Sequence, residues 1–185
     1  MTVQQQQNLL AYLGYYSAGI DGVSGRATRD AGLAFQSAFG GIAADGICGT
    51  QTEKALRHAV AYGLPQRKEE DFWQEIRHFT SREFACKCGK YCDGYPARME
   101  EQVVRAADAL REHFGVPVTV SSGLRCQSHN ANVGGVADSR HLRGKAVDLG
   151  AQGISAAELL DYAVKLPQIR YAYAIDESYI HMDVA

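Results

Sequence analysis

His141, Asp148 and His181 offer two imidazoles and a carboxylate. Those are the donor types of a catalytic zinc site, which holds its ion through three protein ligands and keeps a fourth position for water or substrate. His141 and Asp148 are seven residues apart, roughly 20 Å or more on an extended chain. They share one ion only if the chain turns back between them, and Gly144 is the residue that permits such a turn. In Tyr179-Ile180-His181-Met182-Asp183, strand alternation puts Tyr179, His181 and Asp183 on one face. His181 then reaches the ion with Asp183 beside it. A lone histidine in a strand is more often a hydrogen-bonded core residue, so the set of three carries the reading.

Positioning these residues takes several elements. A long helix is predicted from about Ala97 to Phe114, with Met99, Val103, Ala107, Leu110 and Phe114 on one face and Gly115 as its stop. Val116 to Val120 reads as a strand. Ser155-Ala156-Ala157-Glu158 is a capping box opening a helix that contains Leu159, Leu160 and Ala163. Ile169 to Ile175 and Tyr179 to Val184 read as two strands of a hairpin turning at Asp176-Glu177-Ser178. A helical segment is expected around Phe72, Trp73 and Ile76. Helices and strands mix without regular alternation, which favours an α+β fold with a small antiparallel sheet flanked by helices.

The N-terminal third has its own pattern. Asp21-Gly22-Val23-Ser24-Gly25, Thr28 and Ala31 recur as Asp45-Gly46-Ile47-Cys48-Gly49, Thr52 and Ala55, a period of 24 residues. Such periods mark stacked supersecondary units. Each copy reads as a glycine-rich turn feeding a helix, with Thr28 and Thr52 as N-caps. Stripes of Ala31, Ala34, Phe35 and Ala38, then Ala55, Leu56, Ala59 and Val60, face inward. With a first helix holding Leu9, Leu10 and Leu13 and ending at Gly14, three helices form a small bundle over residues 1–62. Gly63 to Asp71, rich in charge and containing Pro65, reads as a linker (63–71). Residues 72–185 form the second domain.

Composition limits the function classes. Of 185 residues, 46% are hydrophobic and 22% charged, which is ordinary for a globular chain. The net charge of −2 argues against a nucleic-acid binder. No apolar run approaches the roughly 18 residues of a membrane span. The start shows neither a basic nor an apolar leader segment, so no signal peptide is read. Four of five cysteines, Cys86, Cys88, Cys92 and Cys126, form one set, with Cys48 apart. Their Cys-x-Cys spacing is tighter than the usual zinc-finger pair. A disulfide or thiol cluster bracing the loop against Cys126 is expected over a second zinc. His58, His78 and His113 fall in predicted helices and read as structural or exposed.

Ser139-x-His141-x-x-Gly144-x-Ala146-x-Asp148-Leu149 resembles the signature of the zinc D-alanyl-D-alanine carboxypeptidase family, whose fold is shared with the hedgehog signalling domain. Ser121-Ser122-Gly123-Leu124-Arg125-Cys126, His129-Asn130, Gly134-Gly135 and the closing His181-Met182-Asp183 are similar to it as well. The resemblance covers about residues 72–185. It implies Zn²⁺ held by His141, Asp148 and His181, and Arg125 gripping a substrate carboxylate or developing oxyanion. Family members carry an acidic general base three residues before the last histidine. That position here is Ser178, and Asp183 or Glu177 is expected to serve instead, Asp183 by analogy with a subgroup ending in His-x-Asp. Residues 3–62 resemble the peptidoglycan-binding domain often fused to cell-wall hydrolases, through Asp21, Gly22, Gly25, Thr28, Phe35, Gln36, Asp45, Gly46, Gly49 and Thr52. Of these, Asp21, Gly22, Phe35, Gln36, Asp45 and Gly46 are the expected peptidoglycan contacts. The resemblances imply a monomeric peptidase acting at the cell wall, secreted or released as a phage-type endolysin. D-Ala-D-Ala is the leading bond. L-alanyl-D-glutamate cleavage and a non-catalytic zinc module are the alternatives.

Overall fold

A computed structural model describes residues 1–62, 64, 72–92 and 98–185. Apart from Leu64, the predicted linker at 63–71 lies outside the described residues, as does Ala97. The architecture is α+β, with six α-helices and a four-stranded antiparallel sheet among the described residues. Contacts divide the chain into two compact units that do not follow chain order. One comprises Met1–Glu70, Cys86–Arg98 and Cys126–Ala137. The other comprises Asp71–Ala85, Met99–Arg125 and Asp138–Ala185. None of the helices among the described residues is long and apolar enough to cross a membrane.

In the first unit, α1 (Val3–Tyr12), α2 (Arg26–Phe39) and α3 (Thr50–Tyr62) pack on one another. Leu10, Phe35 and Leu56 are fully buried between them. α1 opens on a capping box between Thr2 and Gln5, which satisfies amides that the first turn leaves unpaired. Thr28 and Thr52 are not N-caps, contrary to the sequence expectation: Gly25 caps α2, and both threonines lie inside the first turns. Buried glutamines explain the difference. Gln7 Nε2 donates to Asp21 Oδ1, the Val23 carbonyl and Thr28 Oγ1, while Gly22 N donates back to Gln7 Oε1. Gln36 repeats the arrangement with Asp45, Ile47, Thr52 and Gly46. Each threonine hydroxyl donates to the Val23 or Ile47 carbonyl. The repeat is therefore a pair of turns, each held by one buried amide whose polar atoms must be satisfied. Ala34, placed on the inner stripe by periodicity, is exposed, and Gly32 takes its place.

The same unit holds the cysteine loop and α5 (Gln127–Asn132), a short helix that the sequence reading missed. Asn8 of α1 exchanges hydrogen bonds with Ser128, its Nδ2 donating to Ser128 Oγ and its Oδ1 accepting from Ser128 N. Gln5 Nε2 donates to the Lys90 carbonyl.

In the second unit the strand order is β1 (Val118–Ser122), β2 (Ala146–Ala151), β4 (Tyr179–Asp183), β3 (Tyr171–Ala174). β1 starts two residues later than predicted. Pro117 has no N–H for the ladder, and its carbonyl accepts from Gln152 N outside it. α4 (Glu101–Phe114) and α6 (Ala156–Ala163) cover one face. There Val103, Leu110 and Leu159 meet Val120, Leu149, Ile180 and Met182, all buried. α4 begins later than predicted because Glu100 is extended and its N–H donates to the Gly144 carbonyl. The capping box at Ser155 lies where the sequence placed it, and the β3–β4 hairpin forms as expected but with shorter strands, Tyr171–Ala174 and Tyr179–Asp183, than the predicted 169–175 and 179–184. His78 lies outside any helix, its ring 2.7 Å from Glu112 Oε2.

Candidate metal centre and active site

The sheet face opposite α4 and α6 carries the site. β2 pairs Asp148 with His181 of β4, and β3 pairs Tyr173 with the same histidine. Directly paired antiparallel residues share a face, so three strands bring Asp148, His181 and Tyr173 together. His141 arrives from the 3₁₀ turn Arg140–Arg143, closed by Gly144 at φ +68°. That left-handed residue reverses the chain into β2 and shortens the span from His141 to Asp148 to a contact.

His141 Nε2, Asp148 Oδ1 and His181 Nδ1 lie 3.1, 3.2 and 2.7 Å from one another, and all three residues are buried. His141 Nδ1 donates to the Gly123 carbonyl at 2.7 Å, which leaves Nε2 as a lone pair. His181 Nε2 faces Asp183 Oδ2 at 3.4 Å, an arrangement that turns the Nδ1 lone pair inward. Three acceptors thus converge. A tetrahedral zinc with ligands at about 2.05 Å needs donor atoms about 3.3 Å apart, and two of the three separations fall within a few tenths of that. The outer contacts are those that orient metal-bound histidines. The residues fit Zn²⁺.

Asp148 has a second partner. Its Oδ2 is ion-paired with Arg125 Nη2, while Arg125 Nε donates to Ser122 Oγ at 2.7 Å. Burial pushes the Asp148 carboxyl up. With no ion bound, a proton on the inward nitrogens of His141 and His181 takes the place the metal would fill; hydrogen bonds from these two rings, then the charges of His141 and Arg125, outweigh burial and hold the group well below the usual carboxylate range. Asp183 is also clamped: Arg170 Nε and Nη2 reach its two oxygens at 2.8 and 3.0 Å. Tyr173 stacks on the His181 ring at 4.9 Å. Burial, and then the Asp148 charge, push its phenol up, so it keeps its proton.

The structure therefore gathers Arg125, His141, Asp148, His181 and Asp183 on one face. Glu177 is exposed in the β3–β4 turn, outside the group of gathered donors, and its carbonyl accepts from Ala156 N. In the other unit, Phe35 and Gln36 are buried, and Asp21, Gly22, Asp45 and Gly46 bond to the two glutamines. A cavity of about 230 Å³ lies against the second repeat, between Ala43, Asp45, Ile47, Thr50 and Gln51. Sequence reasoning missed Gly123, Ser122, Arg170 and Tyr173. Only Gly123 and Ser122 carried a signal, standing in the run that ends at Arg125.

Gly123 makes a sharp prediction. A Cβ there would collide with the backbone of Phe84, overlapping its carbonyl oxygen and Cα. Backbone does not yield as a flexible side chain does, so Gly123→Ala is expected to cost about 1–3 kcal/mol. It also displaces the carbonyl that orients His141. A lower denaturant midpoint together with weaker zinc binding checks this; a normal midpoint contradicts it.

Residues 77–183 match the family model Peptidase M15, and residues 2–56 match a peptidoglycan binding domain. The chain is 36% identical over 148 residues to the zinc D-Ala-D-Ala carboxypeptidase of Streptomyces albus G, an alignment covering 74% of this chain and 52% of that protein. It thus spans about half the relative's length. With more than half of its residues matched by the one model and the donor triad inside that match, the chain belongs to the peptidase M15 family.

Proposed function

We propose that the protein is a zinc-dependent peptidase that hydrolyses peptidoglycan stem peptides or cross-links, most directly at a D-Ala-D-Ala type bond. The observation that carries this reading is the convergence of His141, Asp148 and His181 beside Arg125. The chemistry Zn²⁺ supplies in such a site is Lewis acidity, which polarises a carbonyl and acidifies water. His141, Asp148 and His181 would hold the ion. Arg125 fixes Asp148 through one edge, and its remaining donors orient a substrate carboxylate or the oxygen that gains charge. Tyr173, protonated at the rim, donates to the same substrate. The carboxylate preference of Arg125 favours a bond near a free C-terminus over L-alanyl-D-glutamate cleavage.

Residues 1–62, as a three-helix bundle, are proposed to hold the enzyme on the wall and raise local substrate concentration. Asp21, Gly22, Gln36, Asp45 and Gly46 would act there by shaping the two turns, and Phe35 by supporting them from the core. The protein would work as a monomer at the cell wall. Digestion of purified peptidoglycan with and without EDTA, products read by mass, tests the reading. A metal-dependent product names the bond; no product from zinc-loaded protein supports a non-catalytic wall module.

Two carboxylates remain for proton transfer, and their surroundings differ. Asp183 is buried, clamped by Arg170 and aimed at His181, which suits a positioning residue. Asp183→Asn is expected to lower kcat/KM about 10–100-fold while zinc stays bound. Glu177 is exposed in the turn and has the freedom to exchange a proton. If it is the general base, Glu177→Gln loses about 100-fold in kcat with KM unchanged; wild-type turnover in that variant removes it from the chemistry.

A further inference from the structure

The cysteine cluster is absorbed by none of this. Cys86, Cys88, Cys92 and Cys126 place all four Sγ atoms within 4.8 Å of one another, and all are free thiols. Cys88 and Cys92 Sγ are 3.5 Å apart. Four thiolates around one tetrahedral zinc, at about 2.3 Å each, would stand about 3.8 Å from one another. Three backbone amides already point at the sulfurs: Tyr91 N at Cys88, Cys126 N at Cys86 and His129 N at Cys126, at 3.2–3.3 Å. Amides aimed at sulfur stabilise its charged form. Cys86, Cys92 and Cys126 are buried, while Cys88 and Tyr91 pack against them. Gly89, at φ +70°, turns the loop so that Cys88 and Cys92 face the same centre. Lys87 and Lys90 flank it in sequence, supplying positive charge near a centre that would carry net negative charge.

We infer that Cys86, Cys88, Cys92 and Cys126 form a second, structural Zn²⁺ site, closed to solvent chemistry, which ties the loop at 86–92 to the start of α5. This departs from the sequence expectation of a disulfide or thiol brace. The tight Cys-x-Cys spacing differs from the usual zinc-finger pair, but the fourth donor, 34 residues beyond Cys92, completes a set whose four sulfurs converge. Four soft donors and no open position select zinc among common divalent ions.

The test is a metal count on the full chain purified in reducing buffer without chelator. Two zinc ions per chain are expected in the wild type. His141→Ala should keep one, and a Cys86→Ser/Cys126→Ser double variant should also keep one, each from the other site. Ellman's reagent on the native protein should find no more than the Cys48 thiol until a strong chelator is added, after which all five respond. One zinc in the wild type with none in His141→Ala overturns the inference. So does iron in place of zinc, or an intact mass four hydrogens short, which signals two disulfides. The wild-type count and thiol titration stand even if the double variant does not fold. Failure of the peptidase reading appears separately, as two bound zinc ions without peptidoglycan cleavage.

Discussion

His141→Ala is expected to abolish peptidoglycan cleavage, as is EDTA on the unaltered protein. His141 supplies one of three convergent donors, and its Nδ1 contact with the Gly123 carbonyl fixes which nitrogen faces inward. Removing it leaves two ligands where a catalytic zinc needs three. The ion contributes several kcal/mol of transition-state stabilisation, and each 1.4 kcal/mol is about tenfold in rate. A fall of about 1,000-fold or more in kcat/KM follows, and added zinc should restore activity after EDTA but not after the substitution. Zinc affinity should fall in parallel, because lost activity with unchanged affinity would mean that His141 touches substrate instead of metal. Activity that persists in both EDTA and His141→Ala would remove the metal from the mechanism altogether.

The sequence made the donor triad legible because its chemistry depends on residue type and on one turn. His141, Gly144 and Asp148 lie within eight residues, and strand alternation fixes the side on which His181 stands. β2 was not legible, although it is the central strand that presents Asp148. It is buried on both sides of the pleat for most of its length, so Ala146 to Ala151 show no polar alternation, and Asp148 and Gly150 depress strand propensity. The sheet pairing that places Tyr173 over His181 and Arg170 against Asp183 depends on register between strands, which no local pattern encodes. The caps on α2 and α3 were misread for a related reason. A threonine after a glycine-rich turn satisfies the local rule for an N-cap, but Gln7 and Gln36, 21 and 16 residues away from Thr28 and Thr52, claim the hydroxyl. The grouping of Cys86, Cys88, Cys92 and Cys126 was legible in the sequence; the mutual distances of their sulfurs, all within 4.8 Å, were not.

Arg125→Ala is the variant expected to separate holding the metal from using it. The guanidinium is largely buried beside Asp148 Oδ2, with side chains 17% and 8% exposed. Breaking a buried pair costs about 3–5 kcal/mol when the charge left behind has no other partner; His141 and His181 stay beside Asp148, so the cost lies toward or below the lower end of that range. The metal-free protein should therefore show a markedly lower denaturant midpoint. The pH dependence has a definite sign. Asp148 titrates lower in the folded chain than its unfolded value of about 3.9. Its contribution is present above that value and is lost as pH falls below it. Without Arg125 the folded pKa rises toward the unfolded one, and the loss of stability below about pH 4 becomes shallower. His141, Asp148 and His181 all survive the substitution, so an ion held by them should still bind, weakened about 10–100-fold by loss of an orienting contact. Turnover should drop further than affinity, because the donors facing the substrate are gone as well. Arg125→Lys separates charge from shape: a single ammonium cannot reproduce the fork that reaches both Ser122 Oγ and Asp148 Oδ2. It is expected to recover part of the stability and little of the activity. Wild-type turnover in Arg125→Lys would show that a positive charge alone suffices, and wild-type stability in Arg125→Ala would show that Asp148 is held by the histidines without help.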